Sequence, residues 1–477
     1  MLDKIKSLSK QTLIYGTSTI VGRFLNFILV PFYTNVFPPS EYGVIALIFA
    51  YIAFLNIIYS LGFESGYFRF ASSNEIGSEK QNFSHPFFTI MFNSAVLSGL
   101  ILIFSGSITS IVNIKDPTII TYTAFILFFD ALALVPFAYL RLKNKARVFA
   151  AIKLVNICIN VGLNLVLILV LKYGLVAVFI SNLAASIVTL LLLSPVIFRN
   201  ISFSFNKELF SELRRFSLPY LPAGLAAIIV QVIDKPIMQY LTDVKTVGIY
   251  NANYKLGIFM MLIVSMFDYA WRPFFLNNAK EPGAKALFSK VLTLFVGASS
   301  LMFIILTFFI VNIVETPLPF KGHIIGQSYW SGLIIVPTVL FSYIFLGIYT
   351  NLMAGIYIEK KTKYLPLISG LGAVLNIIVC FGLIPVMGIM GGAIATLVSY
   401  VAMAIYIYWV VQKYYPVDYE LSRIFGVLIV DVCAIAVFYS FFGSLGVIYK
   451  VVLSIVLCSS VIYISQLYKI KNLLKKT

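Results

Sequence analysis

The sequence has little charge, almost no histidine and few cysteines. Only 11% of its 477 residues are charged, and 18 of these are acidic. The four cysteines lie in apolar segments without CxxC spacing, and His85 and His323 are far apart, so we expect neither disulfides nor a metal site. No phosphate loop, GxSxG or HExxH motif occurs. We therefore predict no catalytic residues, no bound cofactor and no enzymatic activity.

Apolar residues are correspondingly abundant, at 60% of the chain with a mean hydropathy of +0.97. Apolar runs of about 20 residues, the length that spans a bilayer, recur between short polar breaks. The pattern predicts an all-α polytopic membrane protein with about fourteen transmembrane helices. Their expected positions are 12–37, 41–66, 84–113, 117–140, 147–171, 174–198, 217–241, 246–271, 284–313, 330–356, 362–385, 388–411, 423–443 and 446–467.

The net charge of +17 comes from basic residues in alternate loops. Examples are "RLKNKAR" (141–147), "EKKTK" (359–363) and the terminal "KIKNLLKK" (469–476). This asymmetry follows the positive-inside rule and predicts that both termini are cytoplasmic. The basic residues are too dispersed for a nucleic-acid-binding face.

The two halves of the sequence resemble each other. At an offset of 205 residues, Pro31 aligns with Pro236 and Gly43 with Gly248, and a second echo relates 173–186 to 387–400. Six crossings separate the copies, which predicts two parallel lobes and alternating access. The predicted organisation is an N-terminal lobe (1–198), a cytoplasmic amphipathic linker (199–216), a C-terminal lobe (217–412), and two extra helices with a basic tail (413–477).

Four segments carry a resemblance to a known family: "FPPSEYGVIAL" (37–47), "SLGFESGYFRF" (60–70), "DKPIMQYL" (234–241) and "VGIYNANYKLG" (247–257). They resemble the oligosaccharide (O-unit) flippase family of the multidrug/oligosaccharidyl-lipid/polysaccharide (MOP) exporter superfamily. The resemblance implies a MATE-like bundle of six plus six helices, with helices 1, 2, 7 and 8 lining a cavity. Helices 13 and 14 exceed the twelve common in this superfamily.

The resemblance also implies a substrate and a location. The substrate would be a polyprenyl-diphosphate-linked oligosaccharide, moved from the cytoplasmic to the outer leaflet of the bacterial inner membrane for O-antigen or capsule assembly. Membrane lipids and glycan-assembly membrane proteins would be its partners. Three alternatives stay open: a cation/drug antiporter of the same superfamily, a flippase for lipid II-type or teichoic-acid precursors, and a membrane glycan polymerase or ligase. The last is disfavoured because the longest outer loop, about 314–329, holds one carboxylate, Glu315.

Polar residues on helices 1, 7 and 8 are the candidates for binding substrate, because burial costs keep such groups off the lipid face. Fixed guanidinium and ammonium groups suit an anionic diphosphate. Arg23, Lys235 and Lys255 have no acidic residue four positions away on their own helices. The candidate binding residues are Arg23, Asn26, Gln231, Lys235, Asn251 and Lys255.

Other intramembrane residues suggest coupling, hinges and ion pairs. Asp130 and Asp234 are candidates for coupling transport to a proton or sodium gradient, and Asp431 is a third carboxylate with less context. Lys235 is expected to be a poor partner for Asp234, because adjacent side chains on a helix point about 100° apart. The remaining predictions are hinges at Pro31 and Pro236, and structural or gating pairs between Glu64 and Arg69 and between Asp268 and Arg272.

The segment "NKELFSELRRF" (206–216) has the pattern of an interfacial amphipathic helix joining the lobes. Its arginines would face lipid headgroups. Its apolar side chains, Leu209, Phe210, Leu213 and Phe216, would face lipid.

Overall fold

The chain folds into helices that are long and apolar enough to cross a bilayer. The computed structural model describes residues 27–73, 75–112, 114, 116–318, 322–441 and 446–469. In this part of the chain, 13 helical segments meet the length and hydropathy of a membrane span, and a shorter apolar helix precedes them. Helices satisfy their backbone hydrogen bonds internally, as the lipid core requires. The predicted all-α membrane fold is confirmed.

The helices are numbered in chain order over the described residues. They are α1 (Phe27–Val36), α2 (Pro39–Ser60), α3 (Phe63–Ser73), α4 (Glu79–Ile103), α5 (Ser105–Val112), α6 (Thr118–Leu142), α7 (Ala146–Leu165), α8 (Val176–Asn200), α9 (Lys207–Ser217), α10 (Tyr220–Val232), α11 (Asp234–Leu241), α12 (Val244–Tyr254), α13 (Ile258–Asn278), α14 (Ala284–Val314), α15 (Val336–Ile358), α16 (Tyr364–Met387), α17 (Ile389–Tyr414), α18 (Leu421–Ser440) and α19 (Val447–Ser465).

Several predicted spans are interrupted, which the apolar pattern did not indicate. The span predicted at 41–66 is divided between α2 and α3 by two residues with left-handed backbone, Leu61 (φ 49°) and Gly62 (φ 73°). The span predicted at 217–241 is divided between α10 and α11 at Ile233. Pro236 has no N–H to donate to the carbonyl of Val232, so an interruption here has a physical cause.

The described chain separates into two compact units, each treated by itself. Unit 1 contains residues 27–29 and 44–232, and unit 2 contains 30–43 and 233–469. In unit 1, α6 packs against α4 and α8, and α9 packs against α3. In unit 2, α17 packs against α15 and α16, and α14 packs against α18 and α19. The lobe boundaries predicted at 198 and 217 stay predictions.

Helix ends follow the 205-residue offset found in the sequence. α1 ends at Val36 and α11 at Leu241, and α2 begins at Pro39 and α12 at Val244. Each pair of positions is 205 residues apart. The offset therefore relates places where the backbone changes in the same way, which chance similarity between apolar helices does not explain.

Two glycines aligned by this offset lie where the first turn of α2, which belongs to unit 2, approaches α12. A Cβ on Gly43 would collide with the carbonyl oxygen of Val244, and a Cβ on Gly248 would collide with the carbonyl oxygen of Pro39. Both obstacles are backbone atoms, which no rotamer change removes. Only glycine permits this approach.

The amphipathic linker helix α9 turns its apolar side chains toward protein rather than lipid. Leu209 and Leu213 are fully buried, and their methyl groups lie against Gly77 and Gly66. The prediction that these two leucines face lipid is wrong. An interfacial helix and a helix packed on another protein segment have the same amphipathic periodicity. Here Gly66 and Gly77 of the neighbouring segment leave room for the two leucines, so α9 packs on protein.

Candidate functional site

The first turn of α11 holds a buried pair of opposite charges in unit 2. Lys235 Nζ lies 3.1 Å from Asp234 Oδ1, and the backbone N–H of Lys235 donates to the same oxygen at 3.0 Å. Asp234 is 1% exposed and Lys235 is 7% exposed. The expectation that these neighbours make poor partners is wrong. The four-carbon lysine stem reaches back across the angle between the two side chains at the start of the helix.

Two tyrosines of α12 complete the surroundings of this pair. The Tyr250 hydroxyl donates to Asp234 Oδ2 at 2.5 Å. Lys235 Nζ lies 5.0 Å from the ring centroid of Tyr254 and 5.9 Å from that of Tyr250, within the range of cation–π attraction. Among the described residues, the carboxylate accepts three hydrogen bonds, and the ammonium group faces this carboxylate and two aromatic rings. Such satisfaction is what allows an ion pair to remain buried.

Lys255 is the exposed basic residue beside this pair. It begins the short 3-10 turn between α12 and α13, and it is exposed. Its charge lies close enough to that of Lys235 for the two to repel. Among the described residues it has no hydrogen-bonding or acidic partner. In unit 2, the charge of Lys235 is therefore balanced by Asp234, whereas the neighbouring Lys255 is available to an anion.

The other candidate binding residues have different environments. Asn251 on α12 is buried and hydrogen-bonds to Tyr42. Gln231 is exposed near the end of α10 in unit 1, and its side-chain amide donates to the carbonyl oxygen of Ala227 at 3.3 Å. Arg23 and Asn26 lie outside the described residues. Their roles in binding substrate, like those of Lys235 and Lys255, stay predictions.

Unit 1 has a polar cluster of its own around Asp130. The Ser186 hydroxyl donates to Asp130 Oδ1 at 2.6 Å, which ties α8 to α6. Lys153 on α7 interacts electrostatically with Asp130 and with the pair formed by Glu64 and Arg141. Alternating charges therefore extend across three helices. The coupling role of Asp130 stays a prediction.

One of the two predicted pairs is correct and the other has the wrong partner. Arg272 Nε donates to Asp268 Oδ1 at 2.9 Å, which confirms that pair. Glu64 pairs instead with Arg141 at the end of α6, and Arg69 points toward Glu75, 3.8 Å away. The prediction failed because α3 contacts α6, so a residue distant in sequence is nearer to Glu64 than its own helix neighbour.

A double-mutant cycle will test this partner assignment. Combining Glu64→Gln with Arg141→Gln should reveal a coupling of about 0.5–3 kcal/mol in the free energy of unfolding, because contacting charges are not additive. Combining Glu64→Gln with Arg69→Gln should give a coupling near zero. Both can be measured by unfolding of the purified protein in mixed micelles. Equal couplings in the two cycles would contradict the assignment.

Several residues at these sites escaped the sequence reasoning. Arg141 appears in the sequence analysis only as a member of the basic segment 141–147, and Lys153, Tyr250 and Tyr254 are not singled out there. The tyrosines did leave a signal, since "YNANY" places them four residues apart on one helix face. The basic residues left none, because their partners are on other helices.

Comparison with solved structures places this architecture among multi-pass membrane transporter folds. The chain is similar to lipid II flippase MurJ in its inward closed conformation, with TM-score 0.76 and 14% identity over 97% of this chain and 100% of that one. A multidrug resistance MATE family transporter of the MOP superfamily, inward-facing, gives TM-score 0.64 and 14% identity over 82% and 94%. The Vibrio cholerae MATE transporter VcmN D35N mutant gives 0.60 and 14% over 86% and 97%.

The sequence itself narrows the class to one family. A family model described as polysaccharide biosynthesis protein matches residues 36–311, and the chain therefore belongs to that family. The resemblance predicted from the sequence, to a family that acts in polysaccharide biosynthesis, is confirmed. No curated protein matches the sequence.

Proposed function

We propose that this protein is a flippase that moves polyprenyl-diphosphate-linked oligosaccharide units from the cytoplasmic to the outer leaflet. One observation carries the proposal: a chain of the polysaccharide biosynthesis family adopts a fold similar, over 97% of its length, to that of a lipid II flippase. A family that builds polysaccharides needs precursors on the far side of the membrane. A transporter fold supplies that step without any chemical reaction.

The charges in unit 2 support an anionic substrate. Exposed Lys255 has no acidic partner among the described residues, and buried Lys235 lies beside it. A diphosphate arriving next to Lys255 would relieve the repulsion between the two ammonium groups. Asp234 pairs with Lys235 at 3.1 Å. The proposed order of events is capture of the diphosphate by Lys255, followed by a response of the Asp234–Lys235 pair.

The membrane and its orientation form part of the proposal. The basic loops predict cytoplasmic termini, in the inner membrane of a bacterium, with transport directed outward. Asp130 and Asp234 are the proposed coupling residues, drawing on a proton or sodium gradient. Membrane lipids and glycan-assembly membrane proteins remain the proposed partners.

A cation/drug antiporter is the second candidate, favoured by the likeness to the MATE transporter fold. A cationic drug would be repelled by Lys255, whereas a diphosphate would be attracted. A flippase for lipid II-type or teichoic-acid precursors shares the diphosphate chemistry and differs only in the sugar. The chemical identity of the accumulated intermediate separates all three.

Deletion of the gene in a strain without a second flippase tests the proposal directly. Mass spectrometry of extracted lipids should show accumulation of a polyprenyl-diphosphate oligosaccharide, and surface glycan should fall. The intact gene should reverse both effects, whereas a Lys255→Glu variant, expressed at the same level, should not. Unchanged lipids and unchanged surface glycan in the deletion strain would overturn the proposal.

A further inference from the structure

A second buried carboxyl group lies in the two helices that exceed the twelve common in this superfamily. Asp431 is the eleventh of the 20 residues of α18. At a rise of 1.5 Å per residue, it lies about 15 Å from each end of the helix. A hydrocarbon core about 30 Å thick places it near the bilayer midplane.

The contacts of this carboxyl group are few. Asp431 is 0% exposed, and its Oδ2 lies 2.6 Å from the Ser300 hydroxyl of α14. Its Oδ1 is buried and has no hydrogen-bond partner among the described residues. Asp234, by contrast, accepts three hydrogen bonds and faces a lysine. The two buried aspartates of unit 2 therefore differ in their described hydrogen bonds and charge partners: Asp234 has several donors and a counter-charge, whereas Asp431 has one donor and no counter-charge.

The charged residues of the surrounding helices lie at the helix ends and are engaged there. Lys290 on α14 and Arg423 on α18 both approach Glu420. Lys450 on α19 donates to Asn312 at 2.7 Å. The remaining charge of these helices is Lys285 on α14, 4.9 Å from the ring centroid of Tyr415.

Within the described residues, the helices packed against α18 therefore place no counter-charge beside Asp431. The Cys458 thiol of α19 is the titratable group that faces Asp431 in the described chain. The neighbouring helix α15 carries no charged residue. An ionised carboxylate with a single hydrogen-bond donor in the lipid core is heavily penalised, and such a group instead becomes neutral. A neutral acid is penalised far less by the missing partners, and the Ser300 hydroxyl donates one hydrogen bond to its Oδ2. A metal ion would require several more oxygen ligands than these two residues provide.

We propose that Asp431 is a proton-binding site, a neutral carboxylic acid held at the bilayer midplane between α14 and α18. Asp431 lies on α18, outside the matched family segment 36–311, whereas its partner Ser300 lies within it. Proton binding is inferred from the contacts of Asp431 alone and does not require the proposed transport of glycan precursors. It gives the two extra helices a role beyond scaffolding. It also provides a protonatable group separate from the ion-paired Asp234.

Infrared difference spectroscopy on the purified protein in lipid nanodiscs tests the site. Wild type minus Asp431→Asn should show the carbonyl band of a protonated carboxylic acid at neutral pH, and alkaline buffer should remove it. Replacing potassium with sodium at constant ionic strength should leave the band unchanged. Absence of the band at neutral pH, or its loss in sodium, would overturn the proposal.

Chemical labelling provides a second measurement with an internal control. A hydrophobic carbodiimide reacts with neutral carboxylic acids: the acid oxygen bonds to the carbodiimide carbon, the proton passes to nitrogen, and acyl transfer leaves a stable N-acylurea. Peptide mass spectrometry should find this adduct on Asp431 at neutral pH and not on Asp234, whose carboxyl group is paired with Lys235. Ser300→Ala should keep the infrared band but shift its frequency, because the hydrogen bond is lost. Labelling of Asp234 in preference to Asp431 would contradict the assignment.

Discussion

Lys235→Met is expected to abolish transport and to lower the free energy of unfolding by about 3–5 kcal/mol. Methionine fills similar space but leaves Asp234 buried without its counter-charge. The Tyr250 hydroxyl and the backbone N–H of residue 235 would remain as donors to the carboxylate. Two neutral donors do not replace the charge of an ammonium group 3.1 Å away. Stability can be followed by unfolding in mixed micelles, and transport by flipping of a labelled polyprenyl-diphosphate lipid in proteoliposomes.

The double variant Asp234→Asn with Lys235→Met separates the two roles of this lysine. Removing both charges of a buried pair costs little, so stability should return to within about 1 kcal/mol of wild type. Transport should remain absent, because the anionic substrate has lost a cation. Lys235→Arg should keep part of the activity, since the charge persists. A double variant that transports at the wild-type rate would show that Lys235 is only a partner for Asp234.

The sequence predicts the membrane helices well because their main cause is local. Twenty apolar residues in a row have one stable solution in lipid, and the polar breaks mark the ends. Interruptions inside a span are harder to predict. The residue type at Ile233 does not itself indicate that the helix is interrupted there. The interruption depends on the proline three residues later, together with the packing around it.

Partners in the candidate site could be predicted only where they share a helix. Asp268 and Arg272 are four residues apart, and the helix itself brings them together. Glu64 and Arg141 meet because α3 packs on α6, and no spacing rule encodes that packing. The adjacent pair of Asp234 and Lys235 was misjudged for another reason: a rule for helix faces ignores how far a lysine stem can reach.

The repeat supplied information that neither propensity nor spacing could. Aligned positions of the two halves proved to be helix ends, and the aligned glycines proved to be a contact between backbones. Internal symmetry thus identified residues constrained by packing without any knowledge of the structure. Its weakness is that it cannot distinguish a residue needed for packing from one needed for transport.

Gly248→Ala is expected to destabilise the protein by about 1–3 kcal/mol and to impair transport. The added methyl group would meet the Pro39 carbonyl carbon at 2.9 Å and the Gly43 amide nitrogen at 3.0 Å, besides colliding with the Pro39 oxygen. All three are backbone atoms, so α2 and α12 must separate to admit it. Gly43→Ala should have an effect of similar size, because its obstacle is the Val244 carbonyl.

A glycine elsewhere in unit 2 provides the matched control for this effect. A Cβ on Gly370 of α16 would meet nothing within 4 Å, so Gly370→Ala should be neutral or stabilising by up to about 1 kcal/mol through helix propensity. Unfolding of the three variants in the same mixed micelles, with flipping measured in parallel, compares one chemical change in two environments. If Gly248→Ala were as stable as Gly370→Ala, the backbone of α2 would not lie against that of α12 in the working protein. The matching glycines of the repeat would then have to be explained by motion during the transport cycle rather than by packing.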